Sequence, residues 1–180
     1  MNGLKQSSKC AVGGIVAALS LVVLISVAII PFLTYALPAF AGMLIAFVVA
    51  EIDRKWAFGV YASVSILGVL LIPDKEVAAM YLVFFGYYPI LKEILEKRLP
   101  KAASWVLKLL VFVVSMLASY WFLMKVMGLE IDEMEKFGII AVPMLLGMGA
   151  VAFVIYDIAL TRMTLLYNLK WKKYFRKYFK

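Results

Sequence analysis

The sequence predicts an all-α membrane protein with about six transmembrane helices, both termini in the cytoplasm and a C-terminal amphipathic helix at the membrane interface. Three observations carry that prediction. The chain of 180 residues is 66% hydrophobic and only 17% charged, with a mean hydropathy of +0.98; a soluble domain carries about a quarter charged residues and roughly half apolar ones. Apolar runs long enough to cross about 30 Å of hydrocarbon recur along the whole chain. Lys and Arg are also strongly biased between alternate connections. Six helices with short connections use nearly all of residues 1–180, so the chain reads as one polytopic membrane domain.

The first predicted span, residues 11–30, carries no charge. About 20 residues at about 1.5 Å each cover roughly 30 Å. The run is too long for a signal-peptide core and lacks a small-residue cleavage site, so it reads as a retained helix. Pro31 stops it, with Pro38 close behind; residues 31–38 are either a tight turn or a re-entrant cap. The second span, 33–50, ends in the charged turn of Glu51, Asp53, Arg54 and Lys55, with Trp56 as an interfacial anchor.

The third span, 56–72, stops at Pro73, Asp74, Lys75 and Glu76. The fourth, 77–91, closes on Tyr87, Tyr88 and Pro89, which read as an aromatic belt with a kink. Residues 92–98 then read as one or two turns of surface helix, with Glu93 and Lys97 paired at i,i+4. The fifth span, 103–124, holds Lys108 in its first turns; an acidic run at 130–135 leads to the sixth span, 137–160.

Orientation follows from the basic residues. Of the 19 Lys and Arg, only Lys75, Lys125 and Lys136 fall on one side of the predicted bundle. The others lie at the N-terminus, in the second and fourth connections, at Lys108 and in the tail, which assigns that side to the cytoplasm. The tail, 165–180, places Tyr167, Trp171, Tyr174, Phe175, Tyr178 and Phe179 on one helical stripe, with lysines and Arg176 opposite. Such a helix suits an anionic leaflet, at about 1 kcal/mol per basic residue near the surface; the alternative is a solvated stop-transfer tail.

Several function classes are disfavoured. The chain has no histidine and a single cysteine, Cys10, so it offers no internal disulfide and no metal-ligand spacing. It carries no phosphate-binding loop, no HExxH, no GxSxG and no arginine ladder. No catalytic residue, cofactor or metal site is therefore expected, and the chain does not read as an enzyme. The net charge of +8 is accounted for by the positive-inside bias, so nucleic acid is not an expected partner; the lipid bilayer is.

Three candidate features remain. Lys108 and Asp157 each sit about one turn inside the membrane near the same end, where they form either a structural pair or a functional intramembrane charge. On the opposite side, Thr34 and Tyr35, Lys75, Tyr81, Phe84, Phe85 and Trp121 are candidates to line a pocket for a flat small molecule. Gly13 with Ala17, and Gly14 with Ala18, are small-xxx-small pairs that serve either internal packing or a partner helix.

The opening of the first helix, Lys9-Cys10-Ala11-Val12-Gly13-Gly14-Ile15-Val16-Ala17-Ala18-Leu19, together with the size and topology, resembles the substrate-binding S components of energy-coupling factor (ECF) transporters. That resemblance implies a subunit that captures a vitamin or precursor from outside and topples in the membrane to release it. Partners would be a transmembrane coupling subunit and two ATPases, with Gly14 and Ala18, or Gly13 and Ala17, as the coupling contact. The lack of histidine disfavours nickel or cobalt as cargo. The competing expectation is a non-transport polytopic scaffold or envelope-assembly protein.

Overall fold

The structure, a computed structural model, describes residues 5–125 and 141–171. All regular elements there are helical: α1 Gln6–Ile25, α2 Ala36–Glu51, α3 Arg54–Leu71, α4 Lys75–Met80, α5 Tyr88–Arg98, α6 Lys101–Lys125 and α7 Ala141–Leu166. Wide π turns at Tyr81–Phe85 and Tyr167–Trp171 follow α4 and α7. Among the described residues, five helical stretches are long and apolar enough to cross a membrane, and α2 is a shorter apolar helix of 16 residues. The acidic run at 130–135, the first residues of the sixth predicted span and the tail beyond Trp171 lie outside the described residues.

Local chemistry sets the boundaries. Ile30 leaves the helical region (φ −126°, ψ 73°), the α conformation being disfavoured before proline, and residues 31–38 form a short 3-10 turn at Pro31–Leu33 running into the first turn of α2. The Asp53 carboxylate caps α3 by accepting from the Trp56 N–H at 2.9 Å, and Asp74 caps α4 through the Glu76 and Val77 N–H groups. Lys75 closes the other end of α3, donating to the carbonyls of Val69 (2.9 Å) and Ile72 (3.1 Å).

From Lys75 to Arg98 the chain is one continuous span. Residues 92–98 are thus the last turns of that span, where the sequence reading has a separate surface helix. Inside it, the Gly86 N–H reaches back to the Tyr81 carbonyl at 2.9 Å, an i→i+5 bond that widens the helix. Neighbouring tyrosines attend to carbonyls disturbed by the wide turn and by Pro89, which has no N–H to offer the Phe85 carbonyl. Tyr61 donates to the Leu82 carbonyl at 2.7 Å, and the Tyr156 hydroxyl lies 3.5 Å from the Phe85 carbonyl. In a bilayer such groups have no water to turn to.

Short α2 is the hub, packing against α1, α3, α5 and α7. On one side Leu24, Ile45, Val48, Val64, Ile72 and Val77 form an aliphatic core. On the other, Phe84, Tyr88, Phe112, Phe153 and Tyr156 form an aromatic core with ring centroids 5.0 to 6.3 Å apart. Gly42 makes that second contact possible: a Cβ there would fall on the Phe85 carbonyl oxygen and the Tyr156 hydroxyl. Large apolar side chains turn outward along α1, α3, α6 and α7, among them Val22, Ile66, Leu70, Val106, Val114, Val151 and Ile155. Water would not tolerate an apolar surface this extensive; lipid does.

One end of the bundle gathers several ion pairs and charged hydrogen bonds. Lys9 lies 4.0 Å from Asp53, Arg54 lies 3.2 Å from Glu93, and the Tyr167 hydroxyl donates to Glu51 at 2.7 Å. The start of α1, the α2–α3 turn and the ends of α5 and α7 therefore meet on the same side.

Candidate functional site

Just inside that end, α5, α6 and α7 bring four charges and a phenol together. Tyr88, Lys92 and Glu96 follow each other at i,i+4 on one face of α5, while Lys108 comes from α6 and Asp157 from α7. One Asp157 carboxylate oxygen, Oδ1, accepts from the Tyr88 hydroxyl (2.6 Å) and from Lys92 Nζ (2.6 Å), and Lys108 Nζ lies 3.1 Å from it. Lys108 also donates to Oδ2 of the same carboxylate at 3.2 Å. Glu96 Oε1 bridges the two ammonium groups, at 2.8 Å from Lys92 and 2.5 Å from Lys108.

The exposures decide what kind of cluster this is: 2% for Lys108, 2% for Asp157 and 6% for Lys92. Surface ion pairs contribute about 0–1 kcal/mol, whereas charges buried like these persist only when paired and fully hydrogen-bonded. Two cations face two anions, so the cluster is neutral as a whole. The Trp105 ring, with its centroid 5.1 Å from Lys108 Nζ, covers the remaining side of that ammonium.

The cluster is not sealed. A cavity of about 440 Å³ opens beside it, within the size range of small-ligand sites. Its buried side is formed by Lys108, Asp157 and Ser104, and Glu96 also reaches it. Lys101 and Arg162 stand on its exposed side, with Thr161, Trp105, Leu99 and Ile158 between. Thr161 donates to the Asp157 backbone carbonyl at 2.9 Å. Among the described residues no three His, Cys, Asp or Glu side chains come together in a way that could hold a metal ion.

The pairing of Lys108 with Asp157, one of two alternatives open from sequence, is thus present, and Lys92, Glu96 and Tyr88 join it. Tyr88 has 0% exposure and belongs to the aromatic core, not to an interfacial belt. A signal for the additional members existed in the i,i+4 spacing of Tyr88, Lys92 and Glu96. It was obscured by the neighbouring Glu93–Lys97 pair, which also forms and marks the same stretch as a solvated helix.

The other candidates are distributed as follows. Thr34 donates to the Pro31 carbonyl at 2.5 Å, and the exposed Tyr35 lies 3.4 Å from Glu76. Lys75 is engaged in closing α3. Tyr81 is buried in the aliphatic core and Phe84 in the aromatic one, with Phe85 half-buried between. Trp121 is 60% exposed on the outer face of α6. These residues divide among a turn, two cores and the outer surface. On helix one, Gly13 packs on Val60 and Trp56, and Ala17 borders the aliphatic core. Gly14 and Ala18 face outward, and nothing lies within 4 Å of a Cβ placed on Gly14.

The chain matches no protein-family model, no curated protein and no solved structure.

Proposed function

We propose that the chain is a membrane-embedded substrate-capture subunit for uptake of a small organic molecule, energised by partner ATPases through a coupling subunit. In this reading it resides in the cell membrane with both termini cytoplasmic. The observation that supports solute handling is the Lys92–Lys108–Glu96–Asp157 cluster beside an open cavity. Ionisable groups at membrane depth are costly and mark solute or ion pathways. The cluster and cavity are accordingly assigned to contact with the solute on its way to release. By the Lys and Arg count this is the cytoplasmic end, where a captured solute would be released. The outward Gly14–Ala18 face is the coupling contact in this scheme.

Thermal unfolding of the detergent-purified protein with a panel of vitamins and precursors tests the reading, because a ligand bound only to the folded state raises Tm. A stabilising compound whose effect is lost in Lys108→Met supports it. A second reading, a scaffold or envelope-assembly protein, draws on the exact charge balance of the cluster, which is also what a structural clamp needs. Absence of any shift across the panel, with no ATPases or coupling subunit recovered on native copurification, selects that second reading. The Gly14→Leu/Ala18→Leu variant should fold normally yet lose assembly with a coupling subunit; unchanged assembly removes that contact from the scheme.

A further inference from the structure

We propose that the cavity between α5, α6 and α7 binds a phosphate group. The inference rests on the solute-site reading for its location and adds the ligand's chemistry. Charge is the first argument. Lys92 and Lys108 already balance the charges of Asp157 and of Glu96, which engages them through Oε1, so Lys101 and Arg162 are surplus to that balance. Neither makes an ion pair or hydrogen bond among the described residues, and both line the cavity. Two cations unpaired among the described residues, beside a neutral cluster, suit a phosphate, which carries about −1.5 to −2 charges as a monoester and a single one as a lipid phosphodiester.

The second argument is independent of charge. Ser104 is 3% exposed, lines the cavity, and its Oγ has no hydrogen-bond partner among the described residues. A buried hydroxyl left unpaired costs about 1–3 kcal/mol, and an oxygen-rich ligand in the cavity would relieve that cost. The exposed Thr161 lies on the same cavity.

Backbone geometry adds to both. Leu99, Lys101 and Ser104 place the cavity at the first turn of α6. The Ser104 N–H is bonded to the Pro100 carbonyl at 3.0 Å; the N–H groups that start a helix before that bond have no intrahelical carbonyl, and the helix dipole favours an anion there. A carboxylate would use fewer of these donors than a tetrahedral phosphate. Trp105, Leu99 and Ile158 leave an apolar flank for whatever carries the phosphate. That carrier is either a bilayer lipid or a soluble phosphorylated compound.

The full chain, purified in a neutral detergent and stripped of lipid, is titrated with glycerol 3-phosphate, with dihexanoylphosphatidylglycerol and with acetate at matched ionic strength, reading Tm. At least one phosphate probe should raise Tm where acetate does not. Lys101→Gln/Arg162→Gln, whose changes are exposed and whose unliganded Tm should equal wild type, should weaken that probe roughly tenfold or more. Ser104→Ala should weaken it by a smaller factor. A shift with the lipid probe alone makes the phosphate a headgroup and upholds the inference while removing this cavity as a site of solute capture. A shift with glycerol 3-phosphate upholds both readings. No phosphate shift, an equal shift with acetate, or a phosphate shift unchanged in the double variant overturns the inference; a vitamin shift in that same preparation would show the solute reading standing without it.

Discussion

Removing the Asp157 charge is the most informative perturbation of the buried cluster. In Asp157→Asn, Lys92 and Lys108 lose their shared carboxylate and keep only Glu96, whose side chain is 42% exposed. The neutral cluster becomes a net cation at a position where Lys108 and Asp157 each have 2% exposure. Breaking a buried pair by removing one partner costs about 3–5 kcal/mol. For a chain of this length that corresponds to about 6–20 °C in Tm. If charge balance is the cause, a second substitution, Lys108→Met, should restore much of the loss, since Lys92 and Glu96 would again cancel. The assay is a four-member thermal-unfolding cycle in one detergent: wild type, each single variant and the double. Asp157→Asn within about 2 °C of wild type, or a double variant no more stable than the worse single one, would refute the reasoning, because distant independent effects simply add.

Gly42→Ala should lower stability by about 1–3 kcal/mol or more, because its Cβ meets the Phe85 carbonyl oxygen and the Tyr156 hydroxyl; Gly14→Ala, inside α1 with open space around it, should be neutral or stabilising by up to about 1 kcal/mol. Comparing their Tm values in one detergent checks both. Tyr61→Phe should cost about 1–3 kcal/mol by freeing the Leu82 carbonyl at the π turn, and faster amide exchange around residues 81–86 is the readout. Asp53→Ala removes the cap of α3 and should cost about 1 kcal/mol in thermal unfolding. Finally, with Cys10 replaced by Ser, a cysteine at position 101 should react with a membrane-impermeant maleimide only after the cells are opened; labelling of intact cells would reverse the orientation.

The membrane class was legible in the sequence because it depends on one-dimensional quantities. Uncharged runs such as residues 11–30, breaks at Pro31 and Pro73, and the charged turns at 51–55 and 74–76 act locally, through helix length, missing N–H groups and the cost of charge in lipid. The proximity of Lys108 to Asp157 was also visible, since both lie about one turn inside the same end. What the sequence alone left undetermined is which face of each helix turns inward. Lys92 and Lys97 sit in the same short charged run, yet one is 6% exposed and bonded to Asp157 while the other pairs with Glu93 at the surface. The same holds for Gly13 and Gly14, adjacent in sequence but facing α3 and open space respectively. Helical rotation is set by the sum of interhelix contacts, here the tight approach at Gly42 and the aromatic packing around Phe84. Only the tertiary structure therefore decided that Tyr88, Lys92, Glu96, Lys108 and Asp157 form one cluster, and that an open cavity lined by Lys101 and Arg162 lies beside it.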